Sequence, residues 1–337
     1  MSENTIKVSV IGIGSMAQTI HLPMIKSLKG KLELDMIVDP FLEEKQLQKI
    51  AGLYNCKHSK SLEDINSDLA IIVTPISNHF GTAHNLIKNV NYLLIEKAVT
   101  NSIDNLERLI EDKNELLGKR IFVAHMRRFY KNINLAKKVI ANGFLGNIHE
   151  VKIYEGNLYG WNRKYFSKEK KNKNIDEGVL FDVGSHSIDS FSYIFADLIS
   201  DIKIDSSIVD DPEFMSNIFF NGSVLLNNQN EKVSLTGSFS NTTALSNIIW
   251  IRGEKGTLTI PPSDAIRPKL ISNKNNEIIE LDINWNSINP FYLMYDNIID
   301  ASENNSKSIL DIENFVNTTK ILETAYCKAQ PGKIDWL

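Results

Sequence analysis

Five short apolar runs mark the first third of the chain: Lys7 to Ile11, Leu34 to Val38, Leu69 to Val73, Tyr92 to Ile95 and Ile121 to Ala124. Between them, apolar residues recur at helical spacing, through Leu28, from Phe41 to Ala51, from Asn78 to Lys88 and from Ser102 to Leu117. Fully apolar strands separated by helices read as βαβ units around a parallel sheet buried on both faces. Right-handed crossovers make such a sheet doubly wound. After Phe129 the pattern changes. A helix from Asn132 to Asn142 stops at Gly143, and alternating segments follow: Ile148 to Tyr154, Met215 to Phe220, Ser223 to Leu226, Lys232 to Phe239, Asn247 to Arg252 and Gly256 to Ile260. Polar turns at Asn221-Gly222, 227–230 and 253–255 separate them, which predicts a half-covered antiparallel sheet. One helix, Ser185 to Ala196, interrupts the sheet; two more, Pro290 to Glu303 and Asp311 to Ala329, close the chain. The pattern therefore predicts an α/β chain. Residues 1–125 form a doubly wound domain of the Rossmann type. Residues 126–337 form an α+β domain with a large open, mostly antiparallel sheet, and a C-terminal helix is free to pack back on the first domain.

Composition changes this picture little. The chain has 337 residues, 42% hydrophobic and 23% charged, which fits a soluble protein with two domains. A net charge of -4 implies no general nucleic-acid surface. The two cysteines, Cys56 and Cys327, lack metal-ligand spacing, so no zinc site is expected. The N-terminus has no secretory pattern and no run reaches the length of a membrane span, so a cytoplasmic location is expected.

The chemistry concentrates in a few places. Gly12-x-Gly14-x-x-Ala17 follows a strand and opens a helix. Glycines there permit a tight turn and let backbone N–H groups of Gly14, Ser15 and Met16 approach a pyrophosphate at the helix N-terminus, while Ala17 still allows close packing. Asp39 ends the second strand, where an acidic residue meets the adenosine ribose; its charge favours NAD over NADP. Thr74-Pro75-Ile76-Ser77-Asn78-His79 and Glu96-Lys97 follow the third and fourth strands, whose C-terminal ends line the ligand crevice of such a sheet. Thr74, Pro75, Asn78, His79, Glu96 and Lys97 are accordingly candidate cofactor contacts. Asp182 and His186 are spaced i, i+4 at a helix entrance, with Asp189 three further on, which groups all three near one face. Such ligands also suit a metal, but no His or Cys cluster accompanies them, so acid–base chemistry is expected instead. Arg163 to Lys173 is a strongly basic stretch, read either as a solvated loop or as a flap for an anionic substrate. Tyr159 and Trp161 are candidate stacking groups for a sugar ring.

Together the Gly12 turn, Thr74-Pro75-x-x-x-His79, Glu96-Lys97, Met126-Arg127-Arg128-Phe129, the segment from Gly143 to Val151, and the Asp182 to Asp189 motif resemble the glucose–fructose oxidoreductase and inositol dehydrogenase family (Gfo/Idh/MocA). The resemblance covers nearly the whole chain. It implies a Rossmann domain, an open sheet that serves as an oligomer interface (a homodimer or homotetramer), and NAD(P)-dependent oxidation or reduction of a secondary alcohol or ketone on a sugar, polyol or nucleotide sugar. It places Lys97, Asp182 and His186 as catalytic residues and adds Arg127, with Lys97, Asp182 and His186, to the substrate contacts. Ala98 stands where the family has proline after the lysine. The family also contains a non-catalytic NAD-binding regulator, which is the alternative reading.

Overall fold

The computed structural model describes residues 5–156, 178–213, 215–261, 263, 265–281 and 288–334. The chain divides into two units: Met1–Met126 with Ile288–Val316, and Arg127–Ser287 with Asn317–Leu337. The segment 288–316, assigned by its position in sequence to the C-terminal domain, thus groups with the N-terminal unit.

The first unit is built on β1 (Ile6–Ile11), β2 (Leu32–Val38), β3 (Lys57–Ser59), β4 (Leu69–Ile72), β5 (Tyr92–Glu96) and β6 (Arg120–Ala124). All pairings are parallel, and the order is β3-β2-β1-β4-β5-β6. The order reverses between β1 and β4, which makes that point the ligand crevice of the sheet. Every residue of β4 is buried, as is all of β5 and β6 after the first position. That is the continuous burial of a sheet covered on both faces, here by α1 (Leu22–Ser27), α2 (Glu44–Tyr54), α3 (His79–Leu86) and α4 (Ile103–Glu115). The sequence reading misses β3, because Lys57-His58-Ser59 is polar and sits on the sheet edge. It also starts α2 too early. The N–H groups of Phe41 and Leu42 donate to Asp39 Oδ1, so the chain turns there before the helix begins at Glu44.

Residues 288–316 complete this unit along β6. Val123 N–H donates to Leu310 O, and Phe122 bridges Asp311. The Arg120 guanidinium binds the carbonyls of Ala301 and Ser306 at 2.6 and 2.7 Å and the Asp311 carboxylate at 2.7 Å.

The second unit holds a nine-stranded mixed sheet, mostly antiparallel. Its strands are β7 (Ile148–Gly156), β8 (Ile199–Val209), β9 (Asn217–Leu226), β10 (Lys232–Ser240), β11 (Ile248–Gly253), β12 (Gly256–Ile260), β13 (Lys269–Ser272), β14 (Ile278–Glu280) and β15 (Ala329–Pro331). β10 runs parallel to β7, and β15 parallel to β8. Asn221-Gly222 is not a turn: both residues lie within β9, and a Cβ on Gly222 would stand 2.2 Å from the Lys203 carbonyl of β8. The glycine marks a close approach of two backbones. β8 escapes the sequence reading because register shifts between Ile199 and Asp201 and between Ile204 and Ser206 break its two-residue period. α5 (Lys131–Ala141), α6 (Ser185–Ile194) and nearly all of a helix at Val316–Cys327 belong to this unit. Among the described residues no helix is long and apolar enough to cross a membrane.

Candidate active site

In the first unit the candidate residues sit at the C-terminal ends of β1, β2, β4 and β5. Gly12 has φ +86, and a Cβ there would lie 2.8 Å from Val73 O and 2.9 Å from Thr74 N. It is a glycine because the ends of β1 and β4 close on it; its own N–H donates to Val38 O of β2. Gly14 differs: a Cβ there meets nothing within 4 Å. Gly14 and Ser15 are exposed, Met16 is half-buried, and Ala17 is fully buried. The turn therefore offers an open backbone cradle above a closed packing contact, as a pyrophosphate requires. Ala17 contributes by packing, not by touching a ligand. The helix that follows opens with a π turn, Ala17–His21, a feature frequent at functional sites.

Asp39 Oδ2 accepts the Ile13 N–H at 2.8 Å, so the same carboxylate that turns the chain before α2 also braces the glycine turn. Thr74 is half-buried, and its Oγ1 is buried with no hydrogen-bond partner among the described residues. A buried hydroxyl without a partner costs about 1–3 kcal/mol, which a ligand in the crevice would recover. The open cradle and this orphan hydroxyl fit a dinucleotide. Pro75 and Asn78 are exposed beside it.

Like Asp39, the candidate contacts His79 and Glu96 are engaged by the protein itself. His79 is buried, with Nδ1 2.9 Å from Ala98 O and Nε2 2.8 Å from Thr74 O. Each ring nitrogen faces a main-chain carbonyl, so His79 lies between the Thr74 loop and the segment after Lys97. The two carbonyls favour the charged ring, but burial opposes it more strongly and holds the His79 pKa below its ordinary value. Glu96 is likewise buried. Its Oε1 lies 2.9 Å from His21 Nε2, and its Oε2 accepts the Lys97 N–H at 3.0 Å. Burial pushes the Glu96 carboxyl up, yet the His21 hydrogen bond and the neighbouring charges outweigh it, and the net direction is down. Lys97 itself is half-buried, and the Lys97–Ala98 peptide is cis. His21 and its partner Tyr295, at 2.7 Å, are the residues that the sequence reading missed.

In the second unit Asp182 lies in a π turn, Leu180–Gly184, that leads into α6, where His186 stands one turn on. Both are half-buried on a helix whose neighbouring positions are buried. The close fit of Gly184 holds this helix down: a Cβ there would stand 3.2 Å from Phe239 and Leu180. Asp189 does not join them. Its carboxylate is fully buried, binds Arg128 Nε and Nη2 at 2.9 and 2.6 Å, and accepts from Thr318 at 3.1 Å. Arg127 is also committed: it binds Glu155 through both Nη atoms, at 3.1 and 2.7 Å, and Ser187 at 3.3 Å. Tyr159, Trp161 and the basic stretch 163–173 lie outside the described residues.

The glycine turn gives a direct check. Gly12→Ala forces a strained φ and a backbone clash, and is expected to lower the melting temperature and abolish cofactor binding together. Gly14→Ala meets no protein atom, so it is expected to fold with an unchanged melting temperature and lose dinucleotide affinity alone. Calorimetry beside a fluorescence titration with NADH separates the two.

Residues 6–125 match an oxidoreductase family with an NAD-binding Rossmann fold, and residues 133–259 match the GFO/IDH/MocA C-terminal domain. Similar sequences include the scyllo-inositol 2-dehydrogenase (NADP(+)) IolW of Bacillus subtilis, 24% identical over 199 residues, which cover 57% of this chain and 52% of that protein. They also include the galactose/lactose metabolism regulatory protein GAL80 of Kluyveromyces lactis, 25% identical over 213 residues, which cover 57% of this chain and 46% of that protein. The chain spans about half the length of the curated relatives it matches. Among solved structures, the WlbA dehydrogenase of Bordetella pertussis, in complex with NADH and UDP-GlcNAcA, has the same fold. Its TM-score is 0.77 at 20% identity, with 98% of this chain and 100% of that chain covered.

Proposed function

The chain belongs to the GFO/IDH/MocA family of oxidoreductases with an NAD-binding Rossmann fold, and from that premise we propose that it moves a hydride between NAD and a secondary alcohol or ketone of a sugar, polyol or nucleotide sugar. The observation that carries the reading is the first unit's crevice. An open glycine cradle, the Asp39 carboxylate that braces it and a lysine at the end of β5 all lie at the C-terminal ends of one parallel sheet.

Gly14, Ser15 and Met16 would hold the pyrophosphate, Asp39 the ribose and Thr74 the neighbouring part of the dinucleotide. When bound, the nicotinamide supplies the hydride acceptor or donor. Lys97 holds the reacting oxygen of the substrate and stabilises negative charge as it develops there. His186 takes the hydroxyl proton in the oxidising direction and returns it in the reducing one, a task suited to an imidazole near neutral pH. Asp182, one turn before it, orients the imidazole or binds a neighbouring hydroxyl. NAD is preferred to NADP because the Asp39 carboxylate repels a 2′-phosphate.

The test is a cofactor-reduction screen with NAD or NADP against inositols, hexoses, uronic acids and nucleotide sugars. The expected result is reduction with NAD and one substrate class, lost in Lys97→Ala while NADH still binds. The similarity to GAL80 supports a second reading, a regulator that binds NAD without turnover. Tight NADH binding with silence across the whole panel would favour it.

A further inference from the structure

One buried chain of side chains joins the turn after the glycines to the strand that carries Lys97. Tyr295 Oη lies 2.7 Å from His21 Nδ1, and His21 Nε2 lies 2.9 Å from Glu96 Oε1. Glu96 Oε2 in turn accepts the Lys97 N–H at 3.0 Å. His21 and Tyr295 are both 0% exposed, and Glu96 is 7% exposed.

The protons in this chain have a direction. Burial, and then the nearby Glu96, push the Tyr295 phenol well above its ordinary pKa, so it keeps its proton beside Nδ1. A carboxylate only accepts, so His21 Nε2 carries a hydrogen and donates it to Glu96. Both carboxylate oxygens are then engaged, one by a side chain and one by the next residue's backbone.

Packing alone does not call for this arrangement. Apolar residues of similar shape serve a core about as well as a satisfied buried polar set, whereas a polar network admits one geometry. The geometry fixed here is that of the β5 end. Held by His21 on one oxygen, the Glu96 carboxylate presents the other to the Lys97 N–H and so sets the backbone from which the lysine projects.

We propose that His21 and Tyr295 are positioning residues for Lys97, fixing the strand end from the side of the cofactor turn. The inference rests on reading Lys97 as the group that holds the substrate oxygen.

The experiment uses the full chain with His21→Leu, His21→Gln and Tyr295→Phe. It measures kcat and KM with the substrate found in the screen, NADH affinity, and hydrogen exchange at the Lys97 N–H by NMR. His21→Leu is expected to lower kcat by about 10- to 100-fold, the scale of a roughly 1 Å misplacement. NADH affinity should hold, and the Lys97 amide should exchange faster. His21→Gln keeps a donor for Glu96 and should restore most of kcat; Tyr295→Phe, which removes only the far link, should fall between. Unchanged kcat and exchange in His21→Leu would overturn the proposal. So would a loss that tracks NADH affinity and melting temperature and that glutamine does not rescue, since that is packing. If no substrate turns over in the unmodified protein, the functional reading fails by itself, and exchange at Lys97 still decides the positioning claim.

Discussion

His186→Ala should cost the protein about 10²- to 10⁴-fold in turnover, the usual contribution of a positioned acid–base group. NADH affinity should not change, because His186 lies on α6 in the second unit and the glycine turn, Asp39 and Thr74 all lie in the first. Asp182→Asn keeps the size of the side chain and removes its charge, so a smaller loss is expected from it. Initial rates with the substrate from the screen, beside an NADH titration of each variant, provide the check. If NADH affinity fell in parallel, the histidine would have a structural role and the assignment of the proton-transfer group would be withdrawn.

The second large effect is on stability. Asp189→Ala should destabilise the protein by about 3–5 kcal/mol, the usual cost of breaking a buried ion pair from one side. Arg128 is only 1% exposed and Asp189 0%, so solvent screens neither charge. Arg128 also stacks on Tyr193, 5.2 Å from the ring centroid, which ties α6 to the guanidinium a second time. Replacing both partners with leucine or methionine should recover much of the loss, because the charge left without its carboxylate is the main penalty. Urea unfolding of the single and double variants measures this directly. A single variant within about 1 kcal/mol of the parent protein would mean that Arg128 finds another carboxylate or water.

The contrast between Asp189 and His186 shows what the sequence could and could not convey. Spacing predicted Asp182, His186 and Asp189 near one face at a helix entrance, but only the first two stay half-buried there, while Asp189 is fully buried against Arg128. Spacing could not say that Arg128, outside the helix and far back in sequence, claims Asp189 for the core. The same limit hid the Arg127–Glu155 pair. The strands of the parallel sheet were legible because burial on both faces leaves an unbroken apolar run, as in Leu69 to Ile72. Strands with neither an unbroken apolar run nor a steady alternation were lost, among them β3, which is polar, and β8, which carries two register shifts. Asn221-Gly222 misled because the pair has the composition of a hairpin turn, while its glycine answers to a neighbouring backbone. In the crevice, the motif residues were found by their order along the chain. Their division into exposed or unpartnered groups (Gly14, Ser15, Thr74) and self-engaged ones (Ala17, His79, Glu96) depended on burial and contacts, which a sequence does not display. His21 and Tyr295 left no local signal, since their contact joins positions 274 residues apart.

The return of residues 288–316 to the first unit also bears on how the protein is made. β6 is an edge of the six-stranded sheet, and the stretch that covers it leaves the ribosome about 160 residues after Met126. At ~5–20 residues per second, translation leaves that edge bare for roughly 8–30 s. During that interval the unpaired Val123 N–H, the Arg120 guanidinium and the site later filled by Tyr295 are open to solvent and to other nascent chains. Slow codons or a chaperone acting between residues 126 and 288 would therefore alter the yield of native protein more than the same perturbation after residue 316.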